Sequence, residues 1–138
     1  MTTTGYSGTP LHRKLGVKPE SRVLLAAAPP SFALDATPRG AVVHTRAAGS
    51  SYDVVVAFCP DRKRLVSRFP ALAPRLTSAG ALWIAWPKQS SGIDTDIDEN
   101  VVRAVGLAEG LVDVKVIAID ETWSGLKLVI RTAARGRA

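Results

Sequence analysis

Cys59 is the only cysteine among the 138 residues, so no disulfide can form within the chain and a reducing, cytoplasmic setting is expected. Long apolar runs are also missing. The longest, "VVVAF" and "ALWIAW", fall far short of the ~20 residues a membrane span needs, which argues against a membrane partner. The opening "MTTTGYSGTPLHRK" has no apolar stretch of the kind a secretory signal carries. Histidine is scarce: His12 and His44 lie far apart and neither belongs to a ligand-spaced pair, so zinc is not expected. No aromatic residue interrupts the one dense basic run, "DRKR" at 61–64, and nucleic-acid bases would find no stacking platform within it.

What is present reads as one globular domain over 1–138, with 46% apolar and 22% charged residues. Residues 1–8 form an N-terminal arm, in which Tyr6 is expected to dock as a tether, and 132–138 form a basic tail. A net charge of +6 and a pI near 10.0 raise the question of an anionic partner. The cations are spread along the chain, however. The run at 61–64, with Arg68 and Arg75 beyond it, reads as the solvated face of a helix. Electrostatic nucleic-acid binding by a 62–75 basic helix, through Arg62, Lys63, Arg64 and Arg68, is an alternative that is not favoured.

Four runs read as buried strands: 22–28, 52–58, 80–86 and 112–119. Most are nearly continuous in apolar residues, as in a parallel sheet covered on both faces. "AVVHTR" (41–46) is a weaker strand, and "LKLVIR" (126–131) alternates like one closer to an edge. In 61–77, Leu65, Val66, Phe69, Leu72, Ala73 and Leu76 share one helical face, with a break expected near Phe69 where Pro70 intervenes. A second amphipathic helix spans 97–109, and a short one runs from Thr9 to about Leu15. Helices at 61–77 and 97–109 supply crossovers between parallel strands. The final link, "DETWSG", is too short for one and predicts an antiparallel hairpin. The link 47–52 can hold no helix; it either slips across one end of the sheet or strand 41–46 pairs elsewhere.

This pattern is an α/β, Rossmann-like three-layer sandwich with a mostly parallel six-stranded sheet. It resembles the class I S-adenosylmethionine-dependent methyltransferase fold, in which the last strand inserts between the two before it. The resemblance implies the order 41–46, 22–28, 52–58, 80–86, 126–131, 112–119. It does not extend to the cofactor. Where that fold has a glycine-rich loop after the first strand, this chain reads "AAAPPSFALD": Pro29 and Pro30 have no N–H, and Ala27 and Ala28 resist positive φ. The second strand ends near Arg46, with no carboxylate for a ribose. No cofactor is expected. The segments 5–16, 82–97 and 110–131, above all "WPK" and "DETWSGLKLV", resemble a bacterial family of uncharacterised small proteins, domain of unknown function family 3052. That likeness implies no activity.

With the last strand inserted, "DETWSG" and "WPKQSSG" converge on one rim at the carboxyl edge, where open α/β sheets take ligands. Trp86, Lys88, Ser90, Asp120, Glu121, Trp123 and Ser124 are therefore the candidate ligand-binding residues. Trp86 and Trp123 are expected to share a pocket, with Lys88 facing Asp120 or Glu121 across it. The same residues support a plain ion pair and a turn made by Gly125. "GIDTDIDEN" (92–100) begins like a calcium loop but has Glu99 where glycine is needed and Val105 where the last acid is needed. It reads instead as a helix start, capped from Thr95 to Asp98. Cys59 is taken as a small core hydrophobe and no residue is assigned as catalytic. The leading expectation is a non-catalytic binding or regulatory domain with a small molecule or protein as partner. The alternative is an enzyme using Lys88 with Asp120 or Glu121 as an acid–base pair.

Overall fold

A computed structural model describes residues 9–131; the expected arm with Tyr6 and the basic tail lie outside them. Helix α1 (Leu11–Leu15) leads into strands β1 (Arg22–Ala26), β2 (Val42–His44) and β3 (Tyr52–Phe58). Helix α2 (Arg62–Leu72) and a 3-10 turn (Ala73–Arg75) precede β4 (Leu76–Pro87). A second 3-10 turn (Gln89–Ser91), helix α3 (Glu99–Ala108), β5 (Leu111–Ala118) and β6 (Trp123–Ile130) follow. The strands form one sheet in the order β2-β1-β3-β4-β6-β5. The first four are parallel, and β6 runs antiparallel to both β4 and β5. The expected order and the inserted last strand are both present.

Alternation along the strands splits the core in two. On one face Leu24, Val55, Leu82 and Leu128 meet Leu65 and Phe69 of α2 and Val102 of α3. On the other, Val23, Val56 and Trp83 lie under Leu15 and Val17, with Phe32 and Leu34 of the loop after β1 packed alongside. The second layer is thin, a five-residue helix and a loop. Its seal is specific: the buried Trp83 indole donates Nε1–H to the Leu15 carbonyl at 3.1 Å, which satisfies the only polar atom of that side chain.

The awkward link after β2 does slip across one end of the sheet. β2 pairs parallel with β1, Arg22 opposite Val42, and β3 lies on the other side of β1. Arg22 lies on the link's path: its guanidinium donates to the Ala48 and Ser50 carbonyls and stands 4.5 Å from the Tyr52 ring centroid. The Tyr52 hydroxyl meets His44 Nδ1 at 2.6 Å and accepts the Ala48 N–H at 3.0 Å. His44 thus has a structural partner.

Several expectations are corrected. Helix α2 does not break at Phe69 but runs through Pro70 to Leu72. A proline two residues from a helix end forfeits one backbone hydrogen bond, and the buried Phe69 and Leu72 side chains outweigh it. β4 starts at Leu76, inside the region expected to be helical. β5 is the edge and β6 lies inside it, as the expected order has them, but Val114 is 52% and Val116 43% exposed, so the apolar run at 112–119 did not signify burial. Helix α3 is capped by Asp98, whose carboxylate accepts the Val101 N–H at 2.9 Å. Thr95 is not the cap, because its hydroxyl donates to the Pro60 carbonyl at 2.8 Å and accepts the Ile97 N–H.

Candidate functional site

The carboxyl end of β4 and the start of β6 meet as expected. Trp86 stands opposite Ser124 and Pro87 opposite Trp123, and the Lys88 N–H donates to the Thr122 carbonyl at 2.7 Å. The turn between β5 and β6 is narrower than the polar knot in the sequence, since Trp123, Ser124 and Gly125 already belong to β6. Asp120 makes the turn: its Oδ1 accepts the N–H groups of Thr122 and Trp123, each at 2.8 Å. The Trp123 carbonyl in turn accepts from Ile119 at 2.9 Å and Asp120 at 3.3 Å. Such side-chain-to-backbone closure is what aspartate offers a tight turn. Glu121 is exposed at its tip.

The two tryptophans reach the same edge but not the same pocket. Partners opposite one another share a face and neighbours along a strand do not. Trp86 therefore joins the α2/α3 core, whereas Trp123 lies on the α1 side with its ring edge-on to Phe58, centroids 5.2 Å apart. The sheet separates the two indoles. Ser124 faces the Trp86 side, and Ser90 is exposed in the 3-10 turn after Lys88.

A cleft of about 640 Å³ opens beside Trp86, lined also by Pro87, Gln89, Ile93, Asp94, Thr95 and the stretch to Asp98. Its floor is apolar, Trp86 and Ile97 being buried, and its rim carries the carboxylates of Asp94, Asp96 and Asp98. Two of these have structural work: Asp98 caps α3, and Asp96 Oδ1 accepts the Arg62 N–H at 2.7 Å at the start of α2. Both helix N-termini thus draw carboxylates toward one loop, as their dipoles favour. Sequence reasoning found Trp86 but missed the far wall, 92–98, because capping explained its acids. The aspartates recurring at every second residue beside an isoleucine were the available signal.

The switch point of the sheet lies between β1 and β3, where chain direction across the sheet reverses and where dinucleotide-type ligands bind in such folds. Here that edge is occupied by the protein itself. Phe32, from the loop after β1, packs on Phe58 at the end of β3 with centroids 4.9 Å apart, and Phe58 continues to Trp123. Ala27 does adopt a positive φ of 60°, against expectation. The N–H donors do not follow, since Pro29 and Pro30 come next and the Pro29 carbonyl is taken by the Phe32 N–H at 2.9 Å. The residues present do not fit S-adenosylmethionine.

Cys59, following β3, is 0% exposed, and its N–H donates to the Ala85 carbonyl at 2.8 Å. Burial pushes its thiol up to about 11, against the opposing pull of the nearby Arg68 guanidinium, and so favours the protonated form in the core. Arg68 itself is turned inward to the Phe58 carbonyl, Arg64 pairs with Asp61 at 2.8 Å, and Arg75 bonds the Gly49 carbonyl. Arg62, Lys63 and Arg64 remain exposed on the basic helix, Arg64 within its ion pair. Among the described residues no group of three or more His, Cys, Asp or Glu is placed to hold a metal, and no helix is long and apolar enough to cross a membrane.

The fold is similar to that of a solved ribosomal protein L11 methylase from Lactobacillus delbrueckii subsp. bulgaricus. The two are 12% identical over 88% of this chain and 75% of that one, with a TM-score of 0.56. The fold is methyltransferase-like. A protein of Thermoplasma acidophilum aligns over 90% of this chain and 75% of its own, at 10% identity and a TM-score of 0.49. No protein-family model matches the chain, and no curated protein does so.

Proposed function

We propose that this chain is a non-catalytic binding or regulatory domain built on a methyltransferase-like frame, taking its ligand at the carboxyl edge in the Trp86 cleft. The observation that carries the reading is the contrast between two places on that edge. The switch point is packed with Phe32 and Phe58, whereas the cleft beside β4 is open, with an apolar floor and an acidic rim. An apolar floor with a few convergent polar groups is the usual form of a small-molecule site, and three carboxylates favour a ligand bearing an amine or other donors. Lys88 and Ser90 adjoin the lining residues Pro87 and Gln89 along the chain, whereas Trp123 packs on the other side of the sheet and Asp120 closes its own turn. The acid–base alternative is weakened for Asp120, whose Oδ1 already holds two backbone N–H groups, and is left with the exposed Glu121 as the partner of Lys88. The segments "WPK" and "DETWSGLKLV" support placing the chain with the uncharacterised bacterial family it resembles, and lone Cys59 supports a cytoplasmic setting.

Native mass spectrometry of the purified protein tests the reading. A co-purified small molecule is expected on the wild type and absent from Asp94→Lys, whose exposed position leaves the melting temperature unchanged. No retained mass on the wild type, or equal retention by the variant, would overturn it.

A further inference from the structure

The face of the sheet under α1 carries an unexplained row of charge. Across the strands, Trp83 of β4 stands opposite Lys127 of β6, and Lys127 stands opposite Lys115 of β5. Directly opposed like charges destabilise a sheet, and a chain selected for stability alone would set a carboxylate against one of them. A third lysine approaches from above. Trp83 is bonded to the Leu15 carbonyl, and the chain leaving α1 reaches Lys18 three residues later. Lys18 and Lys115 are exposed, and Lys127 is half-buried beside the indole. Burial first, and then the charges of Lys115 and Lys18, hold the Lys127 ammonium below its ordinary value, and among the described residues no carboxylate acts in the other direction.

We propose that Lys18, Lys115 and Lys127 form a site for a small phosphate-class oxyanion on the α1 face of the sheet, independent of the Trp86 cleft. Lys115 and Lys127 stand opposite one another. Lys18, three residues past the Leu15 carbonyl that Trp83 bonds, is near enough for its charge to act on Lys127. Together they supply the point charges and donors that a phosphate takes from lysine. A bound oxyanion turns the opposed pair from a liability into a bridge. The register irregularity between Asp113 and Lys115 begins the ladder afresh at Lys115, so Lys115 lies squarely across from Lys127 rather than a residue out of phase.

The competing account is that Lys115 guards the exposed β5 edge against pairing with other chains, a common use of edge lysines and bulges. Thermal melting in inorganic phosphate, against chloride at matched ionic strength, separates the two. The site predicts a saturable rise in melting temperature specific to phosphate. Lys115→Gln and Lys127→Met should each raise the midpoint concentration about tenfold, the loss of one charge-assisted contact. Lys63→Gln, on the opposite side, should leave it unchanged. Lys127→Met keeps the aliphatic stem beside Trp83, so its folding is preserved, and Lys115 is exposed enough that its replacement is too. No phosphate-specific rise in the wild type overturns the proposal. So does an unaltered midpoint in both variants, or a Lys115→Gln protein that aggregates while binding phosphate as before. Binding confined to oligonucleotides, with none to phosphate, also overturns it in favour of a distributed electrostatic surface.

Discussion

Asp120 Oδ1 holds two backbone N–H groups at 2.8 Å, and that geometry makes the carboxylate part of the turn. In the sequence it stood beside Glu121, Trp123 and Ser124 and looked like one member of a reactive cluster. What separates the two readings is direction, which is set one residue at a time by the pleat. Trp86 and Trp123 show the same thing: one strand apart at one edge, they point into different cores. Cys59 illustrates the effect of burial on chemistry. Its thiol keeps its proton to about 11 when folded, against an ordinary value of 9.0. Below pH 9 both states hold the proton and there is no contribution. Between the two values the unfolded chain has released a proton that the native one retains, so stability falls as pH rises, by roughly 3 kcal/mol in all. Urea titrations from pH 8 to 11 should show this decline steeper in the wild type than in Cys59→Ala. Equal slopes would mean that the buried thiol is not responsible.

At the scale of elements, strand existence and order were legible and strand environment was not. The apolar runs at 22–28, 52–58 and 80–86 are interior strands, as their near-continuous character implied. The run at 112–119 has the same character and lies at the edge. β6, which alternates, is interior because β4 and β5 pair with it on either side, while α3 packs against one of its faces. Sequence alternation reports one face at a time and cannot say which neighbour supplies the cover. The long β4 hid for a related reason: Leu76 continued the helical spacing of α2, although it pairs with Tyr52. The register between β3 and β4 shifts just after that pair, and Gly80 lies at the shift. A Cβ there would sit 2.8 Å from the Tyr52 carbonyl oxygen and 2.9 Å from Thr77 Oγ1. The carbonyl belongs to a central strand and cannot withdraw cheaply. Gly80→Ala is therefore expected to destabilise by about 1–3 kcal/mol, the range for overpacking, as measured by denaturant midpoint. A neutral result would show that the β3–β4 junction is looser than its contacts imply.

For the molecule as a whole, the fold is methyltransferase-like, while the residues that follow β1 do not fit that fold's cofactor. The frame has the inserted last strand and a positive-φ turn at Ala27 after β1. The missing glycines and the two prolines were visible in the sequence. Phe32 closing on Phe58 was not, because its partner is 26 residues away and only the fold brings the rings to 4.9 Å. The cleft at 92–98 was likewise hidden, since its walls come from a strand end and a helix approach that have no common motif. S-adenosylmethionine should therefore fail to bind the wild type at micromolar concentration in calorimetry. The reason is double: Pro29 and Pro30 offer no N–H donors, and aromatic packing fills the switch point. The two causes can be separated. Replacing both prolines by glycine restores donors but leaves Phe32 in place, and this variant should still not bind. Adding Phe32→Ala to it opens the edge, and only this triple variant has the means to recover weak affinity. Micromolar binding by the wild type would sink the argument and return the chain to the working methyltransferases.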